Sequence, residues 1–301
     1  MTATLEVVRA GVRSTIQDLG RVGLAHLGVP RAGALDVGAL RLANRLVGNP
    51  EDAAGLEVTL GGCVLRPSKA ITLAVTGAGC AVWVDDRPAN WALPVAVPAG
   101  AKVRIERAIT GLRAYVAVGG GIAVPPVLGS RATDTLSGLG PPQVQDGDVL
   151  PLGTPLGPPP GVDLAPYPAL PDELTVGIRL GPRDDWFTTE AIETLCTASY
   201  AVSTLTDRVG ARLIGPPLTR AVTRELPSEG VVLGAVQVPA NGQPLIFLAD
   251  HPTTGGYPVV AVVEPEALDG IAQARPGTTL RFRVVDRRPE REELKRPQLA
   301  A

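Results

Sequence analysis

The segment LIFLADHPTTGGYPVVAVV, residues 245–263, joins two apolar runs of five residues through a nine-residue polar connection. Each run has the length and residue types of a buried β-strand. The connection holds a carboxylate, an imidazole, two hydroxyls and a phenol, and its glycines allow backbone N–H groups to approach a ligand. Polar groups on a loop held by two rigid strands are typical of a functional site. The alternative is a hairpin turn whose threonines satisfy their own backbone.

The rest of the chain repeats this alternation of short apolar runs and turns. The 301 residues include 35 glycines and 30 prolines, which predicts a mostly β protein with a few short helices. Further strands are predicted at 5–8, 70–75, 81–84, 102–105, 113–118, 174–180 and 280–285. Asp36 is predicted to cap one helix, Asp184 or Asp185 a second, and Pro265 to begin a third.

A proline-rich segment, 151–171, divides the chain almost in half and is incompatible with a helix or a central strand. We therefore predict an N-terminal subdomain at 1–150 and a C-terminal subdomain at 172–286. The charged residues 287–301 are predicted to form a tail.

Composition excludes several classes of function. The formal net charge is −2 and aromatic residues make up 3%, so neither a nucleic-acid nor a membrane partner is expected. The start of the chain does not resemble a signal peptide, and no stretch approaches the roughly 18 uncharged apolar residues of a membrane span. Three distant cysteines and two histidines predict a cytoplasmic protein with no disulfide framework and no metal site.

Sequence motifs for common cofactors are absent. There is no G-x-x-x-x-G-K-[ST] phosphate loop and no G-x-S-x-G elbow. The glycines at 77 and 79 begin a dinucleotide-like fingerprint, but the third glycine is replaced by Val82. We interpret residues 77–79 as a hairpin turn.

Arg131 is a candidate for binding an anion. It lies beside Ser130 and Thr133 and follows three glycines at 119–121 that allow close backbone contact with a neighbour or a ligand. This group predicts a clamp for a carboxylate or a phosphate. The alternative is a bulge with a surface arginine.

Two further polar segments remain open to interpretation. Asp207, Arg208 and Arg212 either hold an anionic substrate or form a local ion-pair network. Residues 14–36 end at a predicted helix N-terminus, where an anion would be stabilised. For this segment we favour a structural loop with an Asp18–Arg21 pair.

The ordered motifs together resemble the family called allophanate hydrolase subunit 2, KipI antagonist or the C subunit of 5-oxoprolinase, which is related to the carboxyltransferase domain of urea carboxylase. The resemblance covers residues 5–285. It rests on STIQDLGR at 14–21, GVP at 28–30, GALD at 33–36, ANRLVGN at 43–49, GGGI at 119–122, LGSR at 128–131, DRVGARL at 207–213, QVP at 237–239 and TTGGYP at 253–258.

The resemblance implies cyclophilin-like β-barrel architecture and an obligate partner, a KipI-like subunit 1, which is the B subunit of 5-oxoprolinase. It also implies a third component, the A subunit of 5-oxoprolinase, and ATP hydrolysis with magnesium that drives opening of the 5-oxoproline lactam to glutamate. Because no phosphate loop exists here, most of the nucleotide contacts are expected from a partner. The chain is expected to be one subunit of a hydrolase, inactive alone.

Such a reaction needs cations for a phosphate and an acid or base near the ring. Arg131, Arg208 and Arg212 are the predicted cations, and Asp250 or His251 is the predicted catalytic group. The predicted substrate-binding set also contains Asp207, Thr253, Thr254, Gly255, Gly256 and Tyr257.

Two alternatives need the same partner surface. The chain would be a carboxyltransferase acting on biotin carried by another protein, or a non-enzymatic antagonist that binds a KipI-like kinase inhibitor. The chain departs from the family by carrying Pro252 where glutamine is usual and residues 139–143 where a glycine-rich run is frequent.

Overall fold

The computed structural model describes residues 2–162, 165 and 171–286. The predicted tail at 287–301 and seven residues of the predicted connection, 163–164 and 166–170, lie outside the described residues. The described chain is mostly β with three short α-helices, as predicted.

Residues up to Pro151 form two antiparallel sheets. These sheets and the helix at Val37–Leu46 that packs on them are called the N-terminal half. The strands are β1 (Thr4–Arg9), β2 (Arg13–Gln17), β3 (Gly55–Thr59), β4 (Cys63–Pro67), β5 (Ile71–Gly79), β6 (Val82–Val84), β7 (Arg87–Ala89), β8 (Val95–Val97), β9 (Val103–Ile105), β10 (Thr110–Val118) and β11 (Val149–Pro151). One sheet has the order β11-β1-β4-β9-β6-β7 and the other β2-β3-β10-β5-β8. Buried aliphatic side chains from both sheets form one core.

Residues from Glu173 onward form a closed barrel, called the C-terminal half with its two helices. The strands are β12 (Glu173–Leu180), β13 (Ser199–Val202), β14 (Gly210–Ile214), β15 (Glu229–Gly230), β16 (Ala235–Gln237), β17 (Leu245–Phe247), β18 (Thr254–Gly255), β19 (Val259–Val263) and β20 (Thr279–Asp286). Seven of them close in the order β12-β19-β16-β17-β14-β13-β20, and β15 pairs separately with β18. Closure occurs through a parallel β12–β20 pair, which leaves the barrel without an open edge.

The nine strands predicted from the sequence are all present, because each is a short apolar run between turns. Two interpretations of turns were wrong. The strands β17 and β19 both pair with β16, which lies between them, so residues 250–258 cross the barrel end and are not a hairpin turn. Residues 77–79 lie inside β5, where Gly77 has φ +81° and pairs with Ala114.

The helices are α1 (Val37–Leu46), α2 (Thr189–Thr197) and α3 (Pro265–Gln273). The Asp36 carboxylate accepts the Ala39 N–H at 2.7 Å, and Pro265 begins α3, as predicted. The predicted cap of α2 was wrong: residues 184–186 form a 3-10 turn, and the Thr188 hydroxyl caps the helix by accepting the Ala191 N–H at 3.2 Å. The extended backbone at Phe187 and Thr188 delays the start of the helix. Helices of nine or ten residues are too short to cross a membrane, and none in the described residues does so.

The glycines at 119–121 approach a neighbouring backbone. Gly120 has φ +89°, and a Cβ there would meet the Gly153 carbonyl oxygen.

We expect Gly120→Ala to lower the free energy of unfolding through two effects. The left-handed backbone costs ~1 kcal/mol with any side chain, and overpacking against Gly153 adds ~1–3 kcal/mol. Gly138→Ala is the matched control, because Gly138 has φ +73° and no neighbouring atom within 4 Å of the place a methyl group would take. Urea unfolding of both variants checks this, and equal losses would contradict the close approach.

Candidate functional site

The two halves meet along a hydrogen-bonded seam. The Ala32 N–H donates to the Ala249 carbonyl at 3.0 Å. The Gln273 side-chain oxygen of α3 accepts the N–H groups of Leu112 and Arg113 on β10 at 2.9 and 3.0 Å. Backbone groups of one half are therefore satisfied by the other half, which fixes the relative position of the loops at the seam.

A buried charge network crosses the seam, and we call it the seam network: Glu57, Arg113, Tyr115, Arg208 and Asp250. Arg208 is 2% exposed and Asp250 is fully buried. The Arg208 guanidinium donates to both Asp250 oxygens, each at 2.9 Å, and to Glu57 Oε1 at 2.5 Å. This bidentate geometry is the strongest that an arginine offers to a carboxylate. Arg208 thus links the barrel to β3 of the N-terminal half.

The carboxylate of Glu57 is the centre of the network. It accepts the Tyr115 hydroxyl at 2.7 Å and the Leu35 N–H at 3.1 Å, and the Arg113 guanidinium lies 3.7 Å away. Burial raises the pKa of Glu57, but the two arginines and the hydrogen bonds outweigh it and leave the pKa lowered. Two cations and two carboxylates balance, so a group that would be costly alone is stable here.

An open cleft of about 840 Å³ lies at the seam. One wall comes from residues 21–41 of the N-terminal half, and the other comes from residues 231–233, 248–253 and 262–269 of the barrel. The lining includes four arginines, at 21, 31, 41 and 179, and three acidic residues, at 264, 266 and 269. A cleft between two halves with converging polar groups is the usual form of a ligand site.

His251 is the titratable ring of this cleft and is 7% exposed. Its Nδ1 lies 2.7 Å from the Pro252 carbonyl oxygen. A carbonyl only accepts, so Nδ1 carries the proton and Nε2 presents a free lone pair. Burial lowers the pKa of His251, the neighbouring Arg31 lowers it further, and the Pro252 hydrogen bond opposes both. The imidazole is therefore neutral at pH 7 and suited to accept a proton.

The structure separates the two predicted catalytic residues. Asp250 points into the seam network, where Thr135 also donates to it through its N–H at 2.9 Å and its hydroxyl at 2.7 Å. His251, the next residue, lines the cleft. All three nitrogens of Arg208 donate to protein oxygens, one of them to the Gly33 carbonyl at 2.6 Å. Asp250 and Arg208 occupy positions that hold the halves together, whereas His251 faces a ligand-sized space.

The other predicted cations lie apart from the cleft lining. Arg131 is half-buried, its Nε donates to the Val124 carbonyl at 2.7 Å, and its N–H donates to Asp18 at 2.5 Å. The Asp207 carboxylate accepts the N–H groups of Val209 and Gly210, while Arg212 is exposed on β14. The predicted grouping of 207, 208 and 212 is thus divided between the surface and the seam.

The predicted loop at 253–257 contributes to the cleft at one end. Thr253 lines the cleft, and Thr254 and Gly255 form β18. The Tyr257 ring lies under the Arg220 guanidinium, 5.7 Å from its carbon atom. A Cβ on Gly255 would meet the Gln237 side chain, so its close neighbour is protein. Gly256 is exposed beside it.

Sequence reasoning missed Arg31 and Asp269, although it identified the segment 14–36 and its helix N-terminus as suited to an anion. Asp269 of α3 fills that position by accepting the Val37 and Gly38 N–H groups at 3.0 and 3.2 Å. Burial raises the pKa of this carboxyl. The expected Asp18–Arg21 pair is also replaced: within the described residues, both side chains bond to the loop 127–132.

No group of three or more His, Cys, Asp or Glu side chains within residues 2–162, 165 and 171–286 is arranged to hold a metal ion. The cleft lining offers guanidinium, carboxylate and imidazole groups. That the protein holds no metal stays a prediction.

The fold and the cleft define a class of two-part β proteins in which paired sheets and a closed barrel meet at a cleft lined by charged side chains. The family model described as carboxyltransferase domain, subdomain A and B, matches residues 27–284. The chain belongs to this family, as its sequence motifs predicted.

Known proteins of this family match nearly the whole chain. The C subunit of the 5-oxoprolinase of Escherichia coli K12 is 38% identical, over 92% of this chain and 90% of that protein. The crystal structure of TTHA0988 matches at 36% identity with a TM-score of 0.84, over 94% of this chain and 56% of that one. The urea amidolyase of K. lactis matches at 30% identity with a TM-score of 0.88, over 95% of this chain and 19% of that one. The chain thus spans about half of TTHA0988 and a fifth of the amidolyase.

Proposed function

We propose that this chain is the C subunit of an ATP-dependent 5-oxoprolinase, which opens the lactam of 5-oxoproline to L-glutamate. The observation that carries the proposal is 38% identity to a protein of that name, over 92% of this chain and 90% of the relative. The cleft supports it, because its arginines suit an anionic substrate and its histidine is neutral.

The residues of the cleft match the demands of lactam opening. Resonance makes an amide bond resistant to attack, so hydrolysis needs an activated carbonyl and a base for water. His251 would take a proton from the attacking water on Nε2, since Nδ1–H is already held by the Pro252 carbonyl. Arginines on the cleft walls would hold the substrate carboxylate. The acid–base role belongs to His251 in this proposal, with Asp250 as its buried neighbour.

ATP would phosphorylate the lactam oxygen and release ADP, which makes the carbonyl carbon electrophilic. Attack by water would then break the ring C–N bond to give an acyl phosphate, and a second water would release phosphate and glutamate. The cleft arginines suit phosphate oxygens, whereas none of its described lining residues is a Phe, Tyr or Trp on which a base would stack. We therefore assign the nucleoside to a partner protein, with magnesium held by phosphate oxygens and water.

The proposed partners are a KipI-like B subunit and a third protein, the A subunit, assembled in the cytoplasm. Similarity to a C subunit supports a multi-subunit assembly. Val22 and Val232, on opposite walls of the cleft, are 73% and 55% exposed and offer apolar surface at its mouth. A stable interface there would bury more than ~1,200 Å².

Reconstitution tests this function. We expect the chain to co-elute with a KipI-like protein in size exclusion, and the mixture of all three proteins to release glutamate from 5-oxoproline only when ATP is present. Omitting this chain is the control and should abolish the release. A chain that stays monomeric at micromolar partner, or a complete mixture that releases no glutamate, contradicts the proposal.

A carboxyltransferase is the second candidate, supported by the TM-score of 0.88 to a urea amidolyase. Biotin would arrive on another protein and its ureido ring would enter the same cleft. Transfer of labelled carboxylate from carboxybiotin, without ATP-dependent glutamate release, would favour this function. Binding to a KipI-like protein with neither activity would favour the non-enzymatic antagonist.

A further inference from the structure

The two walls of the cleft bring Arg21, Arg31 and His251 together through backbone bonds. The Arg21 N–H donates to the Arg31 carbonyl at 2.6 Å, and the Ala32 N–H donates to the Ala249 carbonyl at 3.0 Å. The first bond pairs the two arginine-bearing segments, and the second fixes Arg31 beside the strand end that carries His251. All three residues line the cleft.

The four cleft arginines differ in what they bind. Arg41 lies 3.4 Å from Glu51, and Arg179 donates to Glu264 at 2.5 Å, so both have a carboxylate partner. The half-buried Arg31 guanidinium makes no hydrogen bond or ion pair with any residue that the structure describes. Its charge nevertheless reaches His251, whose pKa it lowers. Arg31 is therefore a cation held in place without a protein counter-ion among those residues.

Arg21 supplies a second unfilled donor. It is 2% exposed; its Nε donates to the Val127 carbonyl at 3.1 Å and its Nη2 to the Ala132 carbonyl at 2.7 Å. Its Nη1 has no hydrogen-bond partner among the described residues. A buried charged donor without a partner is unfavourable and rare in native proteins. Arg21 lines the same cleft as Arg31.

The acidic groups of the cleft give it a polarity. Glu264, Glu266 and Asp269 all lie at or near the start of α3, on the barrel side of the cleft. A ligand's anionic group is repelled from these carboxylates and attracted to the opposite wall that carries Arg31.

We infer that Arg31, with Arg21 behind it, forms an oxyanion-binding site beside His251 and receives the carboxylate or phosphoryl group of the cleft ligand. This assignment differs from the arginines at 131, 208 and 212 that the sequence predicted. The identity of the carboxylate as that of 5-oxoproline rests on the proposed function. The site itself rests on the cleft and its two unfilled guanidinium donors.

Imidazole NMR of the full chain, alone and with its KipI-like partner, tests this site, because His26 and His251 are the only histidines. We expect sodium L-5-oxoproline to shift the His251 resonances saturably and to leave the exposed His26 unchanged. 2-Pyrrolidinone, the same ring without the carboxylate, should bind at least ~10-fold more weakly, and Arg31→Gln should weaken 5-oxoproline binding by at least ~10-fold. Arg45→Gln, at an exposed arginine that pairs with Glu51 and lies outside the cleft lining, should leave the affinity unchanged.

A second probe, inorganic phosphate, distinguishes the source of the oxyanion. A His251 response to 5-oxoproline assigns the site to a substrate carboxylate, and a response to phosphate alone assigns it to a transferred phosphoryl group. No response to either anion, or equal binding by Arg31→Gln, overturns the inference. A bound anion with no glutamate release in the reconstituted complex would instead refute the proposed function and leave the site intact.

Discussion

Replacing Arg208 with methionine is expected to lower the free energy of unfolding by about 3–5 kcal/mol, the cost of breaking a buried ion pair from one side. The substitution leaves the Glu57 and Asp250 carboxylates buried on the two halves with their shared cation removed. Methionine fills much of the space of the arginine stem, so the loss measures charge more than volume. Urea unfolding of the purified variant provides the value.

Arg212→Met is the matched control, because Arg212 is four residues away on β14 and exposed. We expect it to change the free energy of unfolding by no more than about 0.5 kcal/mol. An Arg208→Met protein that unfolds like the wild type but no longer binds an anionic ligand would contradict the structural role. That result would return Arg208 to the anion-binding role predicted from the sequence.

Replacing His251 with glutamine is expected to reduce glutamate release by the reconstituted complex about 10²–10⁴-fold, the usual contribution of a general acid–base group. Glutamine retains a polar side chain but no titratable nitrogen. The variant should keep its affinity for the partner and its unfolding transition. Steady-state turnover of ATP and 5-oxoproline, measured with partner binding on the same preparation, separates chemistry from assembly.

The pH dependence provides an independent check on His251. Because burial lowers its pKa below the ordinary 6.5, turnover should fall only when the pH drops through that lowered value. Because of the same shift, His251 of the unfolded chain takes up its proton at a higher pH than His251 of the folded protein does. Between the lowered pKa and about 6.5 the free energy of unfolding should therefore rise with pH. His26→Gln, at the exposed histidine, should change neither profile. An unchanged acid limb in His251→Gln would contradict the base assignment.

The fold was predictable where the signal was local. The apolar runs that end at Val118 and Val263 predict buried strands from their own residue types. Asp36 predicts a helix start because it directly precedes the helix. The order of strands in the barrel could not be predicted from local patterns. The strand β16 lies between β17 and β19, and no local pattern specifies this pairing. The turn interpretations failed for the same reason.

The sequence indicated one segment of the candidate cleft, the loop with His251, but not which of its polar residues line the cleft. The loop containing His251 was identified correctly as polar and held by strands. Glu57 and Arg208 are 151 positions apart and form one network only because two halves meet, so the sequence alone could not distinguish Arg208 from a ligand-binding cation. The sequence could not single out Arg31 as an anion-binding residue. The reason to assign it this role is structural: it has no counter-ion among the described residues.

The parallel pairing of β20 with β12 has a consequence for synthesis of the chain on the ribosome. The last strand, β20, pairs with both β12 and β13, so one edge of each of these strands stays unpaired until residues 279–286 emerge. The sheets of the N-terminal half are complete once Pro151 has been made, and they carry Glu57 to the future seam before Arg208 exists. Folding of the second half is thus a late, long-range event, and the nascent chain exposes strand edges that chaperones would need to shield.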